Sequence, residues 1–280
     1  MKSNIPIILI LTGLLTASCG HDRQASACEA VERCDSLPEV VKKMVRAVAD
    51  DDAGKFAATV SYPLARPYPL RDIRDARQME SYYHTLVDDS LRRVITASGP
   101  DQWSEFGWRG WALKDGRYVW IDSLVYDIPY VSAREQADLK RLRQQELNTL
   151  RTDLRGDWLP LGAMAADNGD LMRIDAAGNA TPGSGASLRL LVFRKGTDPH
   201  GNPSEIFTGE LSHEGSDVSP IYEFTDKTGR KRTYIPYPDD GSGPAVYEEL
   251  KDGSERTVNV RHVYWMDVIG KKMTAELILF

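Results

Sequence analysis

The sequence predicts an α+β chain. Amino-terminal helices pack on a curved antiparallel sheet, and a mainly antiparallel β domain, a sandwich or a small barrel, follows. Three observations predict this. Apolar residues recur at helical spacing through the first third, as in Val40, Val41, Met44, Val45 and Val48. The pattern then changes to short strands around Asp115-Gly116. Beyond Trp158, glycine, proline and aspartate punctuate β-like runs at regular spacing. At 280 residues, 41% hydrophobic and 27% charged, the chain is long enough for two domains and too apolar for wholesale disorder.

The expected organisation is a signal peptide at 1–18, a flexible tether at 19–35, an α+β domain at 36–131, a connecting helix at 132–156 and a β-rich domain at 157–280. The signal rests on Lys2, the apolar run Ile5 to Leu15, and the small residues Thr16, Ala17 and Ser18 before Cys19. That run is too short to span a bilayer, which takes about 20 residues. Ala17-Ser18-Cys19 resembles a bacterial lipoprotein signal, in the relaxed form found in Bacteroidota, with Thr16 where leucine is usual. The resemblance implies lipidation of Cys19, and hence a lipid bilayer as one partner. Gly20 follows the cysteine without a retention aspartate, so the expected address is the outer membrane, on either face. Cys28 and Cys34 are disulfide candidates in an exported chain, with free thiols or a metal site as rivals.

Next come the helices. Ser36 reads as an N-cap, with Pro38 in the first turn and Glu39 at the capping-box position. A shorter helix carries Phe56, Ala57 and Val60. "SYPLARPYPL" holds three prolines and reads as a loop or short edge strand. A helix from about Asp75 to Val87 places Met79, Tyr82, Tyr83 and Leu86 on one side, and another follows Asp88-Asp89.

"WSEFGWRGWALKDGRYVWID" then reads as a hairpin. With Asp115-Gly116 as a two-residue loop, Trp111 opposes Trp120 and Arg109 opposes Asp122. The Trp111/Trp120 face is expected inside the domain mainly as core, and Tyr83, Arg109, Trp111, Tyr118 and Trp120 are the candidates for lining a cavity there. "SAREQADLKRLRQQELNTLRTDLRGDW" is a long helix, with Ser132 as cap, Leu139, Leu142, Leu150 and Leu154 as apolar stripe and its charges on a solvated face. The β half holds "LRLLVF", "EIFTGEL", "IYEF", "RTYIPY" and "TVNVRHVYW".

"SYPL" at 61–64, "IRDARQMESYY" at 73–83 and the tryptophan-rich hairpin resemble nuclear-transport-factor-2-like domains of uncharacterised Bacteroidota lipoproteins. The carboxy-terminal half, with "RID" at 173–175 and "EGS" at 214–216, looks like the β domain that can follow such modules. The resemblance implies a cone of helices on a curved sheet, a plan that serves both enzymes and binding modules.

No nucleophile elbow, zinc-protease helix, phosphate loop or dinucleotide fingerprint is present. No catalytic residue, metal ligand or cofactor is assigned. His84 with Asp88 or Asp89 is the one available acid/base pair, and "DDD" at 50–52 lacks calcium-loop spacing. A formal charge of −6 argues against nucleic acid as a partner. The expected function is that of a membrane-anchored envelope lipoprotein, a non-enzymatic binding or scaffolding module for a small molecule, glycan or protein. The alternative is a small enzyme, an isomerase, dehydratase or hydrolase, working inside the cone.

Overall fold

The computed structural model describes residues 36–178, 187–212, 221–236, 243–250 and 252–269. They fall into two compact units, one of 36–64 and 73–132, the other of 65–72 and the described residues from 133 onward. The expected division assigned 65–72 to the first domain and made 132–156 a connector. In the structure 65–72 and 133–156 belong with the β-rich half.

In the first unit, α1 (Glu39–Ala49) buries Val41, Met44, Val45 and Val48 on one face. It starts after Pro38, whose ψ of 149° keeps it outside the helix, and no side chain caps it, so Ser36 is not the cap. The next three helices each start at an aspartate. Asp52 accepts from Lys55 N–H at α2 (Ala53–Ala57) and Asp75 from Gln78 N–H at α3 (Ala76–Leu86). Asp88 accepts from Ser90 and Leu91 N–H at α4 (Asp89–Thr96). Val60 lies beyond α2 and bridges to Val125 instead.

A four-stranded antiparallel meander follows: β1 (Trp103–Glu105), β2 (Trp111–Leu113), β3 (Val119–Ile121) and β4 (Val125–Asp127). Its hairpin differs from the expected one. Trp111 pairs with Ile121, Ala112 with Trp120 and Leu113 with Val119. The turn spans 114–118 rather than two residues. Lys114, Asp115 and Gly116 all have positive φ, which a two-residue turn of Asp115-Gly116 would not use at Lys114. Because side chains alternate, this shift sends Trp111 and Trp120 to opposite faces. Leu113, Val119 and Ile121 join the core with Trp111 packed against them, while Trp120 lies on the other face against Phe106 and Tyr126.

In the second unit, α5 (Ala133–Asn148) and α6 (Thr152–Arg155) precede eight strands. These are β5 (Trp158–Ala166), β6 (Leu171–Ala177), β7 (Ser187–Phe193) and β8 (Glu205–Ser212), then β9 (Ile221–Thr225), β10 (Lys231–Ile235), β11 (Ala245–Glu249) and β12 (Glu255–Val263). Each pairs antiparallel with the next, and β12 returns to β5 from Val260↔Ala166 to Val263↔Ala163. The β half is therefore a closed up-and-down barrel, not a sandwich. Ile174, Leu190, Phe207, Phe224, Val246 and Val258 fill its inside. Eight strands enclose a space just wide enough for side chains or one small ligand.

β6 and β7 are buried on both faces, so that even the charged Arg173, Asp175 and Arg189 of "LMRIDAA" and "LRLLVF" are out of solvent. Their outer face is covered by Leu147 and Leu150 and by Trp265 and Val268 of α7 (Trp265–Val268). The charges of α5 are not all solvated: Glu135 and Glu146 are buried.

Candidate functional site

The second unit carries an ionic layer between the outer face of β6 and β7 and the elements covering it. Arg173 and Asp175 sit two residues apart on β6, so they share a face, and Asp175 pairs directly across to Arg189 on β7. Arg173 Nε donates to Asp175 Oδ1 at 2.7 Å and Arg189 Nε to Asp175 Oδ2 at 2.9 Å. Both guanidiniums are capped by indoles: Arg189 lies 4.3 Å from the ring centre of Trp158, and Arg173 5.5 Å from that of Trp265.

Glu146 of α5 lies beside this layer, 1% exposed. Its Oε1 accepts from the Tyr68 hydroxyl at 2.9 Å, and its backbone carbonyl accepts from Arg173 Nη1 at 3.1 Å. Burial pushes the Glu146 carboxyl up to about 7, against the opposing pull of Arg173. The Tyr68 hydroxyl is raised too, by burial and by the Glu146 carboxylate.

Tyr68 comes from the octapeptide 65–72, which is fastened at several points. Arg66 makes a two-pronged pair with buried Glu135, with both contacts at 2.8 Å. The Tyr68 hydroxyl accepts from Trp265 N–H at 3.1 Å. Arg71 reaches Asp267 at 2.6 Å, and Asp72 N–H donates to the Tyr264 hydroxyl.

Beside the layer opens a cleft of about 760 Å³, lined by α5 and by the start of β5 and end of β6. Arg143, Lys140, Gln136, Gln144 and the carboxylate of Asp157 supply its polar groups; Trp158, Leu139, Leu147 and Leu159 supply its apolar ones. Arg143 Nε is buried without a hydrogen-bond partner, and burial pulls its guanidinium below the usual arginine range. This volume lies within the 300–1,000 Å³ typical of small-molecule sites, and a few placed polar groups among apolar walls is the usual composition. Glu146 does not line it.

A smaller cavity, about 220 Å³, lies at the barrel end where the β9–β10 and β11–β12 turns gather. Arg194, Arg230, Arg232 and Arg256 line it around Phe207. Arg232 meets Glu205 at 2.8 Å, and Arg256 pairs with Glu248. Burial raises Glu205, but Arg194, Arg232 and Arg230 overcome this and hold it below the usual carboxylate range.

The sequence-derived candidates are placed differently. Cys19, Cys28 and Cys34 lie outside the described residues. Tyr83 is fully buried, 5.3 Å from the Phe56 ring, so it is core. Tyr118 stacks on Tyr130 at 5.7 Å, and Trp111 is half-buried against the same core. Arg109 lies over the Trp108 ring, and Trp120 faces away from Trp111. The five do not share one wall. His84 is exposed and faces Asp51 at 3.8 Å; Asp88 caps α4 and accepts from the Tyr130 hydroxyl. Among the described residues, no cluster of histidine, cysteine, aspartate and glutamate can hold a metal, and no helix is long and apolar enough to cross a membrane.

The cleft and ionic layer were missed by the sequence reading, although "RID", an Arg-x-Asp pair inside an apolar strand, was the visible signal. Compared with protein-family models, curated proteins and solved structures, the chain matches none.

Proposed function

We propose that the protein is an envelope lipoprotein, anchored through acylated Cys19, that works as a non-enzymatic binding module. Its ligand is a small molecule with an anionic head and an apolar body, held in the α5 cleft. The observation that carries this reading is the cleft's composition. Arg143 and Lys140 line the same 760 Å³ space as Trp158, Leu139, Leu147 and Leu159. Arg143 Nε has no partner of its own there, and a carboxylate would supply one. The titratable Glu146–Tyr68 pair is buried on the inner face of α5, which favours binding over acid/base chemistry. The cell envelope, at the outer membrane, is the place the signal and Gly20 support.

Calorimetric titration with straight-chain carboxylates and the matching alcohols tests the reading. The carboxylates bind and the alcohols do not. Arg143→Gln weakens carboxylate binding roughly tenfold or more, the scale of one charged hydrogen bond. Equal binding of acids and alcohols, or no effect of Arg143→Gln, rejects the site.

A further inference from the structure

Four of the eight exposed large hydrophobic side chains among the described residues fall within 106–126: Phe106, Trp108, Leu124 and Tyr126. Trp108 is 86% exposed. These side chains sit on a built platform. Phe106 packs on Trp120 with ring centres 5.0 Å apart, and Trp120 on Tyr126 at 6.4 Å. Trp120 Nε1 donates to the Gly116 carbonyl at 3.1 Å, and the Tyr126 hydroxyl to the Arg109 carbonyl at 3.0 Å. Gly107 and Gly110, both with positive φ, bracket the turn that presents Trp108. The Arg109 guanidinium lies 5.1 Å over the Trp108 ring.

We propose that this platform rests on the phospholipid bilayer, with Trp108 as the inserted side chain. The proposal rests on the lipoprotein reading. Its occupant follows from the anchor at Cys19. Sixteen residues separate Cys19 from Ser36, which at full extension reach about 55 Å. A unit of roughly 90 residues has a radius of gyration of about 12 Å. The tether is therefore long enough to bring any face of the first unit to the membrane that holds Cys19. The chemistry selects which face. Tryptophan and tyrosine settle at the headgroup boundary, where an apolar ring and a polar tip are both satisfied, and an arginine beside them reaches the phosphates. A chain of net charge −6 gains little from charge attraction to an anionic leaflet, so insertion is driven by burial and is nearly insensitive to salt.

The experiment uses the mature-length chain carrying Cys19→Ser, so that no acyl group contributes. It is sedimented with vesicles of phosphatidylethanolamine and phosphatidylglycerol at low and high salt, while tryptophan emission is followed. The expected result is partition at both salts with a blue-shifted emission. Trp108→Ala lowers the partition coefficient about tenfold, Trp108→Phe retains most of it, and neither shifts the melting temperature. Failure of the parent chain to partition, equal partition of Trp108→Ala, or Trp108-dependent retention on an envelope glycan with none on vesicles overturns the proposal. Acyl labelling of the unmutated chain is read in parallel. Labelling without vesicle binding overturns the platform alone. Trp108-dependent vesicle binding without labelling overturns the anchor and leaves the platform standing.

Discussion

On the buried face of α5, the Glu146 carboxyl is pushed up to about 7 from its ordinary 4.5. A raised folded-state value means that the native protein binds more protons than the unfolded chain between those two pH values. The stability from this group is fully present below about pH 4.5 and is lost as pH rises through about 7. Glu146→Gln fixes the neutral form. It is expected to leave the unfolding free energy nearly unchanged at pH 4 and to raise it at pH 8 by on the order of 3 kcal/mol. Denaturant titrations at the two pH values measure this, and an equal change at both would reject the assignment. Nothing near Glu146 in the chain announces this environment. Its partners, Tyr68 and Arg173, are 78 and 27 residues away, so the helix reads as a charged surface when only local spacing is available.

At the scale of elements, what was legible had a period. The apolar faces of α1 and α3 were readable because valine, methionine and tyrosine recur every three or four residues, and burial follows that recurrence. The hairpin was located correctly and registered wrongly. Asp115-Gly116 marks a turn, but its length is decided by what surrounds it. Gly116 has φ of +79°, and a Cβ there would lie 2.3 Å from the Trp120 indole. The indole thus closes over the glycine, draws residues 114–118 into the turn and moves every later pairing by one. Gly116→Ala is expected to destabilise the first unit by about 1–3 kcal/mol, through strained backbone and a displaced Trp120. Thermal unfolding followed by tryptophan emission checks it, and a loss below about 0.5 kcal/mol, the surface range, would show that the indole moves aside freely.

At the scale of the molecule, regular strand spacing said antiparallel but could not say closed. Closure depends on β12 meeting β5, a pairing between residues almost a hundred positions apart. The ownership of 65–72 was hidden for a similar reason. Three prolines in "SYPLARPYPL" mark a loop without saying what the loop is fastened to. The domain limits expected from the sequence imply that a fragment starting near 157 is stable alone. The structure implies otherwise, since that fragment lacks Arg66, Tyr68, Glu135 and Glu146. A fragment of 133–280 is expected to unfold more readily than the whole chain and to recover stability when a peptide spanning 65–72 is added. Cooperative unfolding of 157–280 at the midpoint of the full chain's second unit would overturn this.

The fastening of 65–72 also has a consequence for the order in which the chain takes shape. A polypeptide is made from its amino end, so Arg71 and Asp72 emerge long before Asp267 and Tyr264, 196 and 192 residues later. The octapeptide must therefore wait, held at both ends by a neighbour that can already have folded, until the last strand has closed the barrel. A chain stalled or trimmed before residue 264 cannot complete this junction. Its completion thus reports that synthesis has passed Asp267, and a protease that cuts at an undocked 65–72 would remove shorter copies selectively.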